Sequence, residues 1–184
     1  MNCRDYRSLC GAIASVLTAV LLSGCASYGW RPTVPESFRT VSVPTFRNES
    51  NVTELGSVMS RQVLREFQRE GTFKIGRVDE SALEVQGVVK SASSNSSGYD
   101  RRTGLRLAAF TFSARVEVSV VDKRNGRVLV DNRIYRAETT YAAAQDLATA
   151  QRDASGRLAE DLARQVVDDV TNLNFRDTKG GSHE

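Results

Sequence analysis

The chain has 184 residues and a formal net charge of +3, long enough for one domain with its own core and too weakly charged for a broad nucleic-acid footprint. Its only histidine, His183, sits at the C-terminal end, and its three cysteines, Cys3, Cys10 and Cys25, all lie near the start. This composition excludes His-based triads and ordinary zinc sites, so an enzyme is not expected and neither a cofactor nor a metal is implied.

The first 25 residues carry the most specific pattern. Arg4 and Arg7 form a positive start, and residues 9–22 are an apolar run broken only by small or weakly polar side chains. That length suits the hydrophobic part of a signal peptide and is short for a membrane span. Leu22-Ser23-Gly24-Cys25 follows, with Leu at −3, small residues at −2 and −1, and a cysteine to carry the lipid. Residues 1–24 are therefore expected to be removed, leaving Cys25 as an acylated, palmitate-type first residue of a lipoprotein. Each buried CH₂ contributes about 0.8 kcal/mol, so two or more acyl chains anchor a protein stably. Ala26 follows instead of an acidic residue that would retain the protein at the inner membrane, which points to the outer membrane, on its periplasmic side. The leader takes with it Arg4, Arg7 and Asp5, a net +1, and leaves +2.

Residues 25–37, punctuated by Gly29, Pro32 and Pro35, read as a tether. Residues 39–46 alternate as a strand that Pro44 should end or confine to a sheet edge. A helix is expected over 52–70, opened by an Asn51/Glu54 capping box and stopped at Gly71. Leu55, Val58, Met59, Val63 and Phe67 share one of its faces, and Leu64 points off it. Phe73 and Ile75 suggest a short strand. Residues 83–89 form another, and the Ser-, Asn- and Gly-rich stretch 91–104 reads as a solvated loop.

Residues 110–120 alternate more strictly than any other segment. Asn125-Gly126 is a hairpin turn signal, and residues 128–135 return as the partner strand. A long helix over 146–173 presents Leu147, Ala150, Ala154, Leu158, Leu162, Val166, Val170 and Leu173 as a stripe. Residues 176–184 read as a disordered tail. Neither helix can bury its stripe alone, whereas a sheet with one apolar face can cover both. The expected fold is α+β: a two-layer sandwich with a mostly antiparallel or mixed four-stranded sheet and two helices on one face. It forms a single domain over 38–175.

Two acidic pairs, Glu160-Asp161 and Asp168-Asp169, fall on the polar side of the last helix and read as solvated surface. Residues 100–138 hold nine Arg or Lys against five acids, whereas residues 139–184 sum to −3. Solvated strand faces account for this basic stretch. A basic sheet end that meets phosphate is the functional alternative, because the planar guanidinium can donate two parallel bonds. Aromatics are not interleaved with these arginines, so nucleic-acid stacking is not expected.

Tyr28-Gly29-Trp30 after the cysteine, the segment Arg39-Thr40-Val41-Ser42-Val43-Pro44-Thr45-Phe46-Arg47-Asn48, the strand Leu83-Glu84-Val85-Gln86-Gly87, Val121-Asp122, Asn125-Gly126 and the Ala-rich start of the last helix occur together in one order. In that order and spacing the chain resembles the lipopolysaccharide-assembly lipoproteins, LptE. The resemblance implies an outer-membrane lipoprotein that plugs the LptD β-barrel, helps it assemble and takes part in lipopolysaccharide (LPS) transport to the outer leaflet. It also implies LPS contact at a basic loop before the long strand, which carries over to Arg102, with Arg101 beside it. Where the family has Arg-Asn-Gly, this chain has Arg102-Thr103-Gly104, and residues 142–146 lack a basic partner. The alternative is an outer-membrane lipoprotein that activates peptidoglycan synthesis or is of the curli-secretion type, since such domains open with a similar strand, FxN turn and helix. A tether from Cys25 to Arg39 reaches roughly 45–50 Å when fully extended, which suits a domain seated at the membrane.

Overall fold

The computed structural model describes residues 34–99, 108–143 and 146–175. These belong to one compact unit, Thr33–Glu184.

The first strand is split by its proline. β1 (Thr40–Ser42) and β2 (Arg47–Asn48) both pair in parallel with the same edge of β4 (Leu83–Tyr99). Ser42 lies opposite Glu84 and Arg47 opposite Val88, so five steps on one strand match four on the other. The extra residue is taken up around Pro44, which has no N–H to give a ladder. The end of the stretch read as a tether joins the fold. Val34 is buried, and a 3₁₀ turn over Glu36–Phe38 puts Phe38 into the core.

α1 (Leu55–Glu70) buries Leu55, Met59, Val63 and Phe67 of the expected stripe, while Val58 is only half-buried, as is Leu64. Gly71 ends it in the left-handed conformation at φ 81°, its N–H bonded to Phe67 O. The Asn51/Glu54 capping box does not form. Glu54 is the N-cap and makes no side-chain cap bond. Asn48 organises the entry instead. Its amide donates to Val52 O at 2.7 Å and Thr53 O at 3.1 Å, while its Oδ1 accepts from Ser50 N–H. Beyond the helix, β3 (Lys74–Ile75) pairs in parallel with β1, and the Phe73 ring meets Phe67 edge-on at 5.4 Å.

β4, β5 (Ala108–Asp122) and β6 (Arg127–Ala143) form a long antiparallel meander. β4 does not end near Val89. It continues through the serine-rich stretch to Tyr99, which corrects the expectation of a loop over 91–104. Ser and Asn are poor strand formers by propensity, but β5 runs alongside and satisfies their backbone groups as far as Tyr99 opposite Ala108. The turn after β5 has four residues, 123–126, and Gly126 N–H bonds Asp122 O at 2.8 Å. β6 bends at Asn132, whose φ is 45° and whose N–H donates to Ser119 Oγ.

α2 (Leu147–Thr171) starts where expected, with the Asp146 carboxylate accepting from the Ala148 and Thr149 N–H groups. Ala154, Leu158, Leu162, Val166 and Val170 are buried, each full leucine burial being worth about 1.5–3 kcal/mol. Leu147 departs from the expected stripe and is 47% exposed.

The result is an α+β sandwich. α1 and α2 pack on each other and on one sheet face, α1 over β4 and α2 over β5 and β6. The sheet has six strands, ordered β3-β1-β4-β5-β6 with β2 also on β4, and not the expected four. The break at Pro44 and the short β3 account for the larger number.

Candidate functional site

The three residues singled out by sequence, Cys25, Arg101 and Arg102, lie outside the described residues, as does the 176–184 tail. The structure does define what flanks the arginines. Tyr99 pairs with Ala108, and Ala108 in turn with Ala143, so the chain segment 100–107 joins strands at one end of the meander. At the other end lie the 123–126 turn and Phe38. β5 alone has 15 residues and spans roughly 50 Å at about 3.3 Å per residue.

The end near Phe38 is locked. Asp122 is completely buried, and Arg124 grips its carboxylate through Nε at 2.9 Å and through Nη2 at 2.7 Å. These bonds hold the Asp122 carboxyl below its usual value and raise that of Arg124. The same guanidinium stacks 3.9 Å over the Phe38 ring, which in turn meets Phe175 at 5.0 Å. The hairpin turn thus ties the first and last described aromatic residues together.

The two sheet faces differ sharply. Phe112, Ala114, Val116, Val118 and Val120 point to the helices and are buried. Thr111, Ser113, Arg115, Glu117 and Ser119 alternate with them and occupy the opposite face, which no described helix covers. That open face is mainly polar, with Val88, Val121, Val128 and Ile134 as its apolar members, Val128 and Ile134 half exposed. On β4 it continues through Glu84, Gln86, Ser91, Ser93 and Asn95, and on β6 through Arg136, Glu138 and Thr140. In its middle Ser91, Ser93, Ser113, Arg115, Arg136 and Glu138 line a shallow depression of about 520 Å³. The Ser93 and Ser113 hydroxyls lie 3.1 Å apart.

Most of the acidic groups around this meander are engaged within the fold. Glu84 bonds Gln86 and meets Lys123 at 3.1 Å, Gln86 giving the larger downward pull on its pKa. Glu49 meets Lys90 at 2.6 Å and Arg47 at 3.0 Å, and the Lys90 bond is the main cause of its lowered pKa. Asp169 accepts from the Tyr135 hydroxyl at 2.8 Å and meets Arg133 at 3.3 Å. Burial, then that bond, pushes Tyr135 well above the ordinary phenol value. Asp169 is therefore a contact between α2 and β6, where the sequence suggests solvated surface. Glu160 and Asp161 do pair along the exposed side of α2, both with Arg164.

Among the described residues no three His, Cys, Asp or Glu side chains are grouped to share a metal ion. No described helix is long and apolar enough to cross a membrane.

The fold has solved counterparts. A putative lipoprotein from Caulobacter crescentus is similar over 71% of this chain and 87% of its own, with 17% identity and a TM-score of 0.50. A protein from Xanthomonas campestris of the DUF330 family is similar over 80% of this chain and 94% of its own (12% identity, TM-score 0.49). A minor lipoprotein from Acinetobacter baumannii covers 73% and 93% (12% identity, TM-score 0.46). At these identities the likeness concerns the fold alone. No curated protein matches the chain. The family model for lipopolysaccharide assembly, LptE, matches residues 38–170, which takes in every strand and nearly all of both helices. The chain belongs to the lipopolysaccharide-assembly family, LptE.

Proposed function

We propose that this protein is an outer-membrane lipoprotein, anchored by acylated Cys25, that sits inside an LptD-type β-barrel, supports its assembly and helps pass LPS to the outer leaflet. Family membership gives the general task, LPS assembly by a non-enzymatic lipoprotein. The observation that carries the plug reading is the open sheet face. A barrel lumen is largely polar. A plug built from this meander can meet that lumen with Ser, Thr, Arg and Glu side chains while its helices keep the apolar face dry. Its length agrees, since roughly 50 Å of strand matches a membrane of about 40–45 Å including headgroups.

The anchor is compatible with this seat. Val34 is already in the core, so Cys25 lies nine steps from it, a distance of at most about 30 Å. Arg101 and Arg102 belong to the segment that joins the far end of the meander. On this reading they meet LPS phosphates after the molecule has entered the barrel.

Depletion of the protein tests the proposal. Correctly assembled barrel should fall, and large antibiotics should cross the outer membrane more readily. Unchanged barrel levels and unchanged permeability would overturn the plug reading.

A further inference from the structure

Strand alternation places Arg115 on the open face of β5, and Arg136 lies on the same face of β6. The register makes them direct partners. Directly opposed residues have Cα atoms about 4.5–5.5 Å apart, and like charges in that relation are destabilising. A neighbouring carboxylate ordinarily relieves such a pair. Here Glu117 and Glu138 are the next residues on the same face, diagonal to Arg136 and Arg115, with Glu117 opposite Ile134 and Glu138 opposite Ser113, and neither closes an ion pair with the arginines. Among the described residues neither Arg115 nor Arg136 has an acidic partner within ion-pair distance, whereas Arg133, Lys123 and Lys90 each have one. Ser91 is the β4 partner of Arg115, and the Ser93–Ser113 hydroxyl pair adjoins it. All line the same depression.

We propose that Arg115 and Arg136 form an anion site on the open sheet face for the phosphate monoester of a phosphorylated sugar, with Ser91, Ser93, Ser113 and Glu138 receiving the sugar. A phosphate dianion neutralises both guanidinium groups, and each planar fork can donate two parallel bonds to it. The Glu138 carboxylate can only accept, so it suits sugar hydroxyl or ammonium groups and disfavours a second phosphate. The site is separate from Arg101 and Arg102, since Ser93 lies six residues, about 20 Å, before the end of β4. The anion site follows from the strand register. A glycolipid as the source of the sugar phosphate rests on the LPS-assembly reading, and a free sugar phosphate has the same chemistry.

The test uses the full-length lipoprotein in a nonionic detergent, with arginine Nε–H signals followed by NMR. Glucosamine-1-phosphate should shift Arg115 and Arg136 saturably, and unphosphorylated glucosamine should not. Arg115→Ala and Arg136→Ala should each weaken binding at least tenfold without lowering Tm, since each relieves the like-charge pair, and the Arg115→Lys/Arg136→Lys double variant should recover part of the binding. Glu138→Gln should weaken glucosamine-1-phosphate binding severalfold while inorganic phosphate binds no more weakly. Phosphorylated lipid A in mixed micelles should displace the sugar phosphate. If glucosamine-1-phosphate binds and lipid A does not displace it, the site stands with a soluble ligand, and the glycolipid reading fails. Absence of saturable binding, or equal binding by the Arg115→Ala/Arg136→Ala variant, would overturn the site. So would loss of barrel co-purification in that variant without any sugar-phosphate binding, because the anion would then be a carboxylate of the partner protein.

Discussion

The Phe46 ring lies directly on Gly87. A Cβ built at Gly87 would come within 2.3 Å of Phe46 Cδ2 and Cε2. The ring takes the place of a side chain in the middle of β4. The backbone of Phe46 is held from the helix side as well. Its N–H donates to Ser60 Oγ at 2.7 Å, and a Cβ at Gly56 would lie 2.5 Å from its carbonyl oxygen. The Phe46 and Asn48 positions that carry the family likeness are therefore structural. Phe46 seats the β1–β2 segment between sheet and helix, and Asn48 shapes the entry to α1. Gly87→Ala should cost about 1–3 kcal/mol by overpacking, and Phe46→Ala about 3–5 kcal/mol. Because Phe46→Ala empties the space the new methyl needs, the double variant should be markedly more stable than the sum of the two. Denaturant unfolding of all four proteins measures this, and strict additivity would contradict the packing of ring on glycine.

The Asp122–Arg124 pair should show in the acid limb of stability. Arg124 depresses the folded pKa of Asp122. A depressed carboxylate contributes stability that is full above the unfolded value of about 3.9 and is lost as pH falls through the folded one. Arg124→Ala removes both guanidinium donors and leaves the buried carboxylate only the backbone N–H of residue 124, which should cost about 1–3 kcal/mol near neutral pH. The difference from wild type should shrink as pH falls below about 3.9. A constant difference from pH 7 to pH 2 would show that the loss is the Phe38 stacking alone.

Lipidation is tested at its chemical site. Cys25→Ala should abolish incorporation of labelled fatty acid and accumulate the unprocessed precursor. Normal labelling would place the anchor elsewhere.

Arg101 and Arg102 bear on LPS recognition. Arg101→Asp with Arg102→Asp should weaken LPS pull-down by an amount on the order of 1–3 kcal/mol for each arginine–phosphate bond removed, with barrel co-purification intact. Unchanged pull-down would leave these two as solvated surface.

Several elements were legible because their information is local. Helix bonds join residues four apart, so the α2 stripe and its start near residue 146 can be read from neighbours in sequence. The β5 alternation and the Asn125-Gly126 turn are equally short-range. The Asn51/Glu54 capping box was also a local signal, yet it did not form. Asn48, held in place by β2, satisfies the same entry with other bonds.

What the sequence determined by itself is the set of apolar faces: two helices with one stripe each and a strand with one buried side, which together require an α+β sandwich. Tertiary structure decided the reach of the sheet and the pairing across it. β4 extends through serines because β5 supplies backbone partners that propensity cannot foresee. Arg115 and Arg136 face each other only through the β5–β6 register. Strand pairing is non-local, and a shift of one residue would turn every side chain to the other face.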